Sequence, residues 1–398
     1  MTIYPLIMAL LAPLLLLRAK WRGESWADLA ERLGRGGAPV DLWLHGASLG
    51  ELASAKWLAE ALLAARPGLT LLVTANTTTG RQLARDWAFR GVIARLAPLD
   101  LGFVLRGFLR RHQPRALISL EAEYWPLRFT HCAARNIAIL LLGARMSDQS
   151  FRRWQKRPNL GRDMLAKVGL ASAQDADSRG RLQRLGLPET VLLPALDLKA
   201  QAMVHRPAPT TPPREDRATW LLAASTHQGE EALILQVFGR QTRFTHLVLA
   251  PRHPARAAEI TPLLHGLDFG QRSLGAEPGA SKIYLADTLG EMDRWYACCG
   301  AVVIGGSFAS KGGHTPWEPA RFGCAILHGP NTQNFAAPFA ALDAKGGALL
   351  VTPEDLAQAL DQLDNPLQDR LAIAAQQVLQ AQGDVSAYLR RILHVSGI

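Results

Sequence analysis

Short apolar runs alternate with longer stretches of helical spacing over most of the chain. Between residues 40 and 204 the runs LWLHGAS, LTLLVTANT, ALISLEAEYWP and IAILLLGARMS are each followed by a helical stretch. After residue 217 the alternation restarts with TWLLAAS, THLVLAPRH, KIYLAD, AVVIGGS, CAILHGP and ALLVT. Strands that alternate with helices build a parallel sheet covered by helices. The pattern therefore predicts an α/β protein with two doubly wound, Rossmann-like domains.

Breaks in composition divide the chain into four segments. Residues 205–217, HRPAPTTPPREDR, hold four prolines among charged residues, which is typical of a linker. We expect an N-terminal membrane anchor at 1–20, a first domain at 21–204, this linker, and a second domain at 218–398. Ligands of doubly wound sheets bind beyond the carboxyl ends of the strands, so we expect a ligand in a cleft between the domains.

The first 17 residues carry no charge, and Arg18, Lys20 and Arg22 follow at once. A secretory signal has its positive charge before the apolar stretch and a small-residue cleavage site after it, the opposite arrangement. At ~1.5 Å per residue this run covers about 25 Å of helix, short of a bilayer core of ~30 Å. We expect an anchor that dips into or barely crosses the membrane, with the body of the protein on the cytoplasmic side. A buried N-terminal helix is the alternative.

Composition and charge limit the classes of partner that the protein is expected to bind. The chain has 398 residues, 48% of them hydrophobic, which fills two cores and excludes disorder as the main state. Of the net charge of +10, residues 81–167 alone contribute +11, from 17 Lys and Arg against 6 Asp and Glu. Such an excess indicates an anionic partner: nucleic acid, a membrane surface or a phosphorylated substrate. The four cysteines form no C-x-x-C pair, so we expect neither a disulfide scaffold nor a zinc site.

Two motifs of the first domain follow predicted strands. Ser48 and Glu51 lie in HGASLGE, at the start of a predicted helix, where Glu51 is placed for chemistry or merely completes a capping box with Ser48. Glu121 and Glu123 lie at the end of an otherwise apolar strand, and strand alternation sends both to the same face. Paired carboxylates there suit acid/base work or sugar hydroxyls. A pair of salt-bridging acids is the alternative.

The second domain offers several groups that suit an anion. Ser225 and Thr226 end a strand before a helix, and Arg252 and His253 follow the next strand. The stretch 305–319 holds two glycine pairs, a lysine and a histidine before a helix expected to start near Thr315-Pro316, with Glu318 about one turn inside it. Glycine amides and a helix N-terminus favour phosphate. No G-K-[ST] follows, so it is not a Walker loop. A purely structural glycine turn is the alternative.

The motifs HGASLGE, TANTTTG, EAEYWP, GARMSDQS, STHQGEE, PRHP, DTLGEM, GGS with KGGHTPWEP, and GPNTQNF occur in this order along nearly the whole chain. Each is modest alone, but nine in order after an apolar segment are specific. The chain resembles the Kdo (3-deoxy-D-manno-oct-2-ulosonic acid) transferases of lipopolysaccharide biosynthesis. The resemblance implies a two-domain GT-B glycosyltransferase fold. It also implies transfer of Kdo from CMP-Kdo to the lipid A precursor lipid IVA at the cytoplasmic face of the inner membrane, with no metal or other cofactor.

The resemblance also implies roles for individual residues. Glu51 would be the general base that deprotonates the acceptor hydroxyl, and Ser48, Glu121 and Glu123 would shape the acceptor side. The CMP-Kdo donor would be lined by Ser225, Thr226, Arg252, His253, Gly306, Ser307, Lys311, Gly313, His314 and Glu318. Displacement at an anomeric carbon needs a base on one side and a stabilised leaving phosphate on the other. The Kdo carboxylate also needs a cation, a role that suits Arg252 or Lys311.

Two departures from the family pattern leave alternatives open. Thr315 stands where the family has Asn in G-G-H-N-P, and Asp197 stands within Leu-Asp-Leu-Lys where the family has G-N-x-K. A diverged GT-B enzyme with another sugar acid or acceptor fits these departures. A nucleotide-sugar epimerase of the same fold needs neither the apolar segment nor the basic first domain. A membrane-bound nucleic-acid binder is disfavoured, since the basic region lacks a recognisable nucleic-acid motif and interleaved aromatic residues.

Overall fold

The computed structural model describes residues 3–206, 213–381 and 385–398. The chain divides into two compact units, one of Met1–His205 together with Asp384–Ile398, the other of Arg206–Gly383. Residues 207–212 of the expected linker lie outside the described residues. The change of unit at residue 206 falls within that proline-rich segment.

The first unit is built on a six-stranded parallel sheet. Its strands are β1 Leu42–Gly46, β2 Leu71–Ala75, β3 Val92–Leu96, β4 Ala116–Leu120, β5 Ala138–Ala144 and β6 Leu170–Ala173. Its helices up to the linker are α1 Ile3–Trp21, α2 Trp26–Arg32, α3 Leu49–Ala65, α4 Thr78–Asp86, α5 Gly102–His112, α6 Pro126–Ala133, α7 Asp148–Gln155, α8 Pro158–Leu165, α9 Ala176–Arg184 and α10 Leu198–Val204.

Local sequence explains these elements. Strands β1, β2 and β4 are buried at every position, as expected of parallel strands covered by helices on both faces. Several helices begin directly after a side chain that accepts a backbone N–H of the first turn, which satisfies a donor the helix leaves unpaired. These capping residues are Ser25, Ser48, Thr77, Ser147 and Asp175.

The strand order of the first sheet is β3-β2-β1-β4-β5-β6. The chain runs outward from β1 to β3 on one side and from β4 to β6 on the other, so the direction of winding reverses between β1 and β4. Doubly wound sheets bind ligands in the crevice that this reversal opens at the carboxyl ends of the two strands. The motifs that hold Glu51 and Glu123 directly follow β1 and β4.

The second unit holds a seven-stranded parallel sheet. Its strands are β7 Trp220–Thr226, β8 His246–Pro251, β9 Phe269–Gln271, β10 Ile283–Leu285, β11 Ala301–Ile304, β12 Ala325–His328 and β13 Leu349–Leu350. Its helices are α11 Glu230–Phe238, α12 Ala257–Ile260, α13 Met292–Cys298, α14 Trp317–Arg321, α15 Ala336–Ala344, α16 Leu356–Gln362 and α17 Asn365–Ala381. The order β13-β12-β11-β7-β8-β10-β9 places the winding reversal between β7 and β11, so the motifs that follow these two strands flank the corresponding crevice.

The last helix, α18 Ser386–Ser396, belongs to the first unit, whereas the sequence pattern assigned everything up to residue 398 to the second domain. Its apolar residues Tyr388 and Ile392 lie one turn apart and are buried in the core of the first sheet. The Tyr388 hydroxyl also donates to the carbonyl of Pro194 at 2.9 Å. The boundary differs because a helix can return to an earlier sheet, which local alternation cannot reveal.

Helix α1 is the one described helix that is long and apolar enough to cross a membrane, with a mean hydropathy of 1.7. Only 17% of its apolar window is buried, so most of its apolar side chains have no protein cover. The small face at Ala12 packs against Leu101 and Val104 of the first unit. This exposure differs from that of a buried core helix and is compatible with a membrane anchor.

Candidate active site

Glu51 is the first polar group in the crevice of the first sheet. Ser48 ends the loop after β1, and its hydroxyl accepts the N–H of Glu51 at 3.4 Å, which starts α3. The Glu51 carboxylate accepts the N–H of Ala47 at 2.7 Å, a contact of the capping type. The capping alternative is therefore present in the structure, and it holds the Glu51 side chain in one place.

The pKa of Glu51 differs from that of a glutamate that only caps a helix. Burial, helped by the charges of Glu121 and Glu123, raises the pKa of Glu51 to about 7. An ordinary exposed capping glutamate ionises near 4.5 and keeps a negative charge that the helix dipole favours. A carboxyl group that gains and loses a proton near neutral pH suits general base catalysis.

Glu123 has the opposite character. One of its oxygens accepts from His45 Nε2 at 2.9 Å, from Asn76 Nδ2 at 2.9 Å and from Trp125 Nε1 at 2.7 Å. Burial opposes ionisation, but the hydrogen bonds from His45 and Trp125 outweigh it and lower the pKa of Glu123 to about 2. Glu123 is thus a fixed anion whose position is set by three donors.

His45 links this anion to the interior of the sheet. It is fully buried in β1, and burial, together with the charge of Arg128, lowers its pKa to about 4. Neutral His45 donates from Nε2 to Glu123, so its Nδ1 accepts from the Thr74 hydroxyl at 2.9 Å. Trp43 Nε1 in turn donates to the Thr74 oxygen at 2.7 Å. Sequence inspection assigned no role to His45, Thr74 or Asn76, because their partners lie 29 to 78 positions away.

Glu121 is positioned by a bend. Strand β4 ends at Leu120, and Glu121 adopts a left-handed backbone with φ of 47°. Strand alternation therefore does not set the directions of Glu121 and Glu123, and our argument for a shared face was wrong. A non-glycine residue in this region is uncommon and is held by its surroundings, here by backbone bonds to Leu142 and Arg145. Burial raises the pKa of Glu121.

In the crevice of the second sheet, the ends of β7 and β11 approach each other closely at Gly305. A side chain at Gly305 would begin 2.3 Å from the Ser225 carbonyl oxygen, so only glycine allows the ends of β7 and β11 to approach this closely. Ser225 itself is left-handed, with φ of 58°. The Ser307 side chain is fully buried and accepts the N–H of Gly329 at 2.8 Å, while the Thr226 hydroxyl donates to Glu231 at 2.7 Å. Both hydroxyls therefore brace the walls of the crevice.

Glu230 occupies the amides that the glycine pattern suggested for phosphate. Its carboxylate accepts the backbone N–H groups of His227, Gly306, Phe308 and Ala309 at 2.7 to 3.1 Å. The loop after β11 is thus closed onto the start of α11 by a buried carboxylate. Sequence inspection gave Glu230 no role, since a glutamate at a helix start ordinarily signals only a favourable dipole contact.

Cationic and imidazole side chains remain along this crevice. In the described parts of the chain, the side chains of Arg252 and Lys311 form no hydrogen bond or ion pair, and both are exposed. His227 and His314 stack with ring planes 4° apart and Nε2 atoms 2.9 Å from each other. Burial and the neighbouring His227 lower the pKa of His314 to about 4, so this pair is neutral at pH 7.

Glu318 lies in the first turn of α14 and accepts from the Tyr296 hydroxyl at 3.2 Å. Burial raises the pKa of Glu318, so its carboxyl is suited to hydrogen bonding with neutral hydroxyl groups. Gly313 is buried with φ of 71°, and its N–H donates to Gly306 at 2.9 Å, which fixes the loop before α14. Over the described residues, no group of three or more His, Cys, Asp or Glu is arranged to hold a metal ion.

Two doubly wound parallel sheets, each with polar groups at its winding reversal, are the architecture of the GT-B fold. Solved structures share this fold. Alr3699/HepE from Anabaena in complex with UDP and glucose aligns with a TM-score of 0.58 at 12% identity, over 90% of this chain and all of that one. The UDP-GlcNAc 2-epimerase from Neisseria meningitidis bound to UDP-GlcNAc aligns with a TM-score of 0.58 at 13% identity, over 88% of this chain and all of that one. At these identities the likeness shows the fold alone.

Sequence relatives are more specific. The 3-deoxy-D-manno-octulosonic acid transferase of Bordetella pertussis is 33% identical, over 90% of this chain and 89% of its own. That of Haemophilus influenzae is 31% identical, over 94% of this chain and 92% of its own. The family model for 3-deoxy-D-manno-octulosonic-acid transferase (kdotransferase) matches residues 27–202. The chain belongs to the 3-deoxy-D-manno-octulosonic acid transferase family, as its motifs predicted, and is a glycosyltransferase of lipopolysaccharide biosynthesis.

Proposed function

We propose that this protein transfers Kdo from CMP-Kdo to the lipid A precursor lipid IVA, with Glu51 as the general base. The observation that carries the proposal is the pKa of about 7 at a carboxylate held in the crevice of the first sheet. Membership of the family supports the reaction class. That membership and the chemistry of the two crevices support CMP-Kdo as the donor and a lipid A precursor as the acceptor.

The reaction needs one proton transfer and one bond exchange. Glu51 takes the proton of the acceptor hydroxyl, and the hydroxyl oxygen bonds to the anomeric carbon of Kdo. The bond from that carbon to the CMP phosphate breaks, and CMP leaves with the bonding electrons. A base with a pKa close to the working pH is ionised often enough to act and still binds the proton in the transition state.

We assign the acceptor to the first unit. Ser48 caps the helix start at Glu51, and the charges of Glu121 and Glu123 act on the Glu51 carboxyl. Glu123 is an anion at any physiological pH. A fixed carboxylate accepts hydrogen bonds from sugar hydroxyls and orients them. It also raises the pKa of Glu51, so a substitution at Glu123 acts on the base as well as on the acceptor.

We assign the CMP-Kdo donor to the second unit. Arg252, Lys311 and His253 are exposed cations or potential cations that suit the CMP phosphate and the Kdo carboxylate. Glu318 suits the ribose hydroxyls. Ser225, Gly306, Gly313 and His314 line or shape the crevice, whereas Thr226 and Ser307 act by bracing it. Stabilisation of the leaving phosphate by side-chain cations is the basis for proposing transfer without a metal.

We place the enzyme at the cytoplasmic face of the inner membrane. Helix α1 supplies an apolar surface, and Arg18 and Lys20 in its last turn, with Arg22 directly after it, form a basic cluster of the kind that favours the cytoplasmic side. A lipid acceptor has to be reached from such a surface, so location and substrate agree.

The experiment that tests the proposal is incubation of the full chain with CMP-Kdo and lipid IVA, followed by mass spectrometry. We expect the acceptor to gain the mass of one or more Kdo residues, and CMP to appear in the same amount. CMP-linked acids other than Kdo, offered in parallel, test the diverged-enzyme alternative. UDP-GlcNAc, assayed for epimerisation, tests the epimerase alternative. Unchanged lipid IVA with active CMP-Kdo would reject the assignment.

A further inference from the structure

Both ends of α1 are attached to the same compact unit. Near its start, the Tyr4 hydroxyl donates to Asp100 at 2.9 Å, and Ile3 and Ile7 line a cavity of about 370 Å³ that Arg157 also lines. Near its end, the Lys20 ammonium lies 4.9 Å from the ring centre of Trp26, the first residue of α2. These contacts span almost the whole helix.

The middle of α1 docks on the same unit. Ala12 is buried against Leu101 and Val104 at the start of α5, and Ala19 is buried two turns later. Tyr4, Ala12 and Ala19 fall on one side of the helix at 100° per residue. A continuous face of α1 therefore lies along the first unit.

This docking is incompatible with a helix that crosses a bilayer. Nineteen residues cover about 28 Å, so a spanning helix would carry its two ends to opposite membrane surfaces. Asp100 and Arg157, which lie beside its first turns, would then be carried to the far surface, and the part of the first unit that lies along α1 would enter the hydrocarbon, where charged side chains are strongly disfavoured. The loop backbone in that part would also lack water as a hydrogen-bonding partner.

The opposite side of α1 is an exposed apolar stripe. Its residues follow one another at intervals of three or four, which keeps them on one face of a helix. Their exposed fractions range from 61% to 91%. The exposed stripe consists of Ile3, Leu6, Leu10, Leu14, Leu17 and Trp21.

Positive charge lies at both ends of the exposed stripe. Arg18 and Arg22 lie at one end of α1, Arg157 lies beside the other end, and Arg106 follows Val104 on α5. All four are exposed, and in the described ranges their side chains form no ion pair. An apolar stripe with a cationic border complements the acyl and headgroup layers of an anionic leaflet.

We infer that α1 lies in the plane of the membrane and embeds the exposed stripe in a single anionic leaflet, so that the protein is monotopic. The inference rests on the membrane location given in the proposed function and specifies its geometry. Both ends of the helix and the whole first unit then stay on one side of the bilayer. The first unit approaches its lipid acceptor without any segment of α1 passing through the membrane.

Depth-resolved quenching distinguishes the two geometries. In four separate variants, Leu6, Leu10, Leu14 or Leu17 is replaced by Cys and labelled with an environment-sensitive fluorophore. Each full-length variant is then bound to phosphatidylglycerol/phosphatidylcholine vesicles. The described native cysteines are buried, so the unsubstituted chain serves as the labelling blank. Lipids brominated at a shallow or a deep acyl carbon should quench all four labels in the same shallow pattern. A profile in which Leu10 is deepest and Leu6 and Leu17 are shallow overturns the inference.

A second measurement keeps the inference falsifiable if a label perturbs the helix. Leu10→Asp should lower the vesicle-bound fraction at least about tenfold at equal lipid. Ile373→Asp, on an exposed apolar residue of α17, should leave it unchanged. Unquenched labels together with a dimer in solution would show that a second copy covers the stripe, which also overturns the inference. Kdo transfer to lipid IVA in detergent is measured separately, so failure of the proposed function is distinct from failure of the membrane geometry.

Discussion

Replacement of Glu51 by Gln is expected to abolish the proton transfer and to leave the fold intact. The Gln oxygen still accepts the N–H of Ala47, which the Glu51 carboxylate accepts at 2.7 Å in the native chain, so the start of α3 is kept. With a pKa of about 7, Glu51 is ionised in about one tenth of molecules at pH 6 and about nine tenths at pH 8. Turnover of the native enzyme should therefore rise about tenfold from pH 6 to its plateau.

The same substitution, which lowers turnover, should increase the stability of the folded state above pH 7. The folded-state pKa of Glu51 lies above its ordinary value of 4.5, so the folded state loses stability as pH rises from there through about 7. The shift corresponds to about 3 kcal/mol at full burial, and partial exposure reduces this to about 1–2 kcal/mol. Glu51→Gln should thus raise the free energy of unfolding above pH 7 while turnover falls at least about 100-fold.

Kdo transfer and urea unfolding, both measured from pH 5.5 to 8.5, test this prediction. Glu60→Gln is the matched control, because Glu60 is exposed on the same helix. CMP binding should be unaffected by either change. Near-normal turnover of Glu51→Gln, or a surviving pH dependence centred near 7, would refute the assignment of the base.

Three further predictions concern groups that the structure holds in place. Glu123→Gln should cut transfer about tenfold and move the rise of turnover to lower pH, since Glu51 loses a neighbouring charge; an unchanged pH profile contradicts this. Glu230→Ala should lower the free energy of unfolding by about 3 kcal/mol in urea, because four backbone donors lose their buried acceptor; a change below about 0.5 kcal/mol contradicts it. Arg252→Ala should weaken CMP binding about tenfold by calorimetry at low salt and less at 1 M salt, as screening of an exposed charge requires; a salt-independent loss would point to lost packing instead.

The sequence was informative where strands end. Four short apolar runs after residue 40 and six after residue 217 predicted two parallel sheets, and the structure contains them. Because parallel strands carry their carboxyl ends to one edge, the polar motifs at the predicted strand ends were expected on the ligand-binding edge of each sheet. The winding reversals of both sheets fall between these strands.

Hydrogen-bond partners that are distant along the chain could not be predicted from the sequence. The pKa of Glu123 depends on His45, which is 78 positions away, and its carboxylate is also held by Asn76, which is 47 positions away. Nothing in the EAEYWP motif reveals either partner. Glycine pairs around Gly306 suggested free amides for phosphate, but Glu230, 76 positions earlier, accepts that N–H. Local patterns specify elements, whereas the protonation state of a buried group is set by tertiary neighbours.

The clustered positive charge is only partly available to a lipid. Arg81 pairs with Asp28 and Glu31 inside the first unit, and Arg128 is buried over the Trp43 ring. These cations stabilise the unit and do not contribute to its surface charge. The cations that remain exposed include Arg106 on α5 and Arg157, which lies beside the start of α1. The salt dependence of binding to anionic vesicles should therefore correspond to fewer charges than the net charge of +11 of residues 81–167.

The two departures from the family pattern have a common structural explanation. The Thr315 hydroxyl accepts the N–H of Trp317, the first residue of α14, at 3.3 Å. The Asp197 carboxylate accepts the N–H groups of Lys199 and Ala200 at 2.9 and 3.2 Å at the start of α10. Asp197 is the N-cap of α10, a position where Asp and Asn are about equally favourable, whereas Thr315 precedes the N-cap residue Pro316 of α14. Both side chains therefore help to fix the start of a helix, which gives each departure a structural role in this chain.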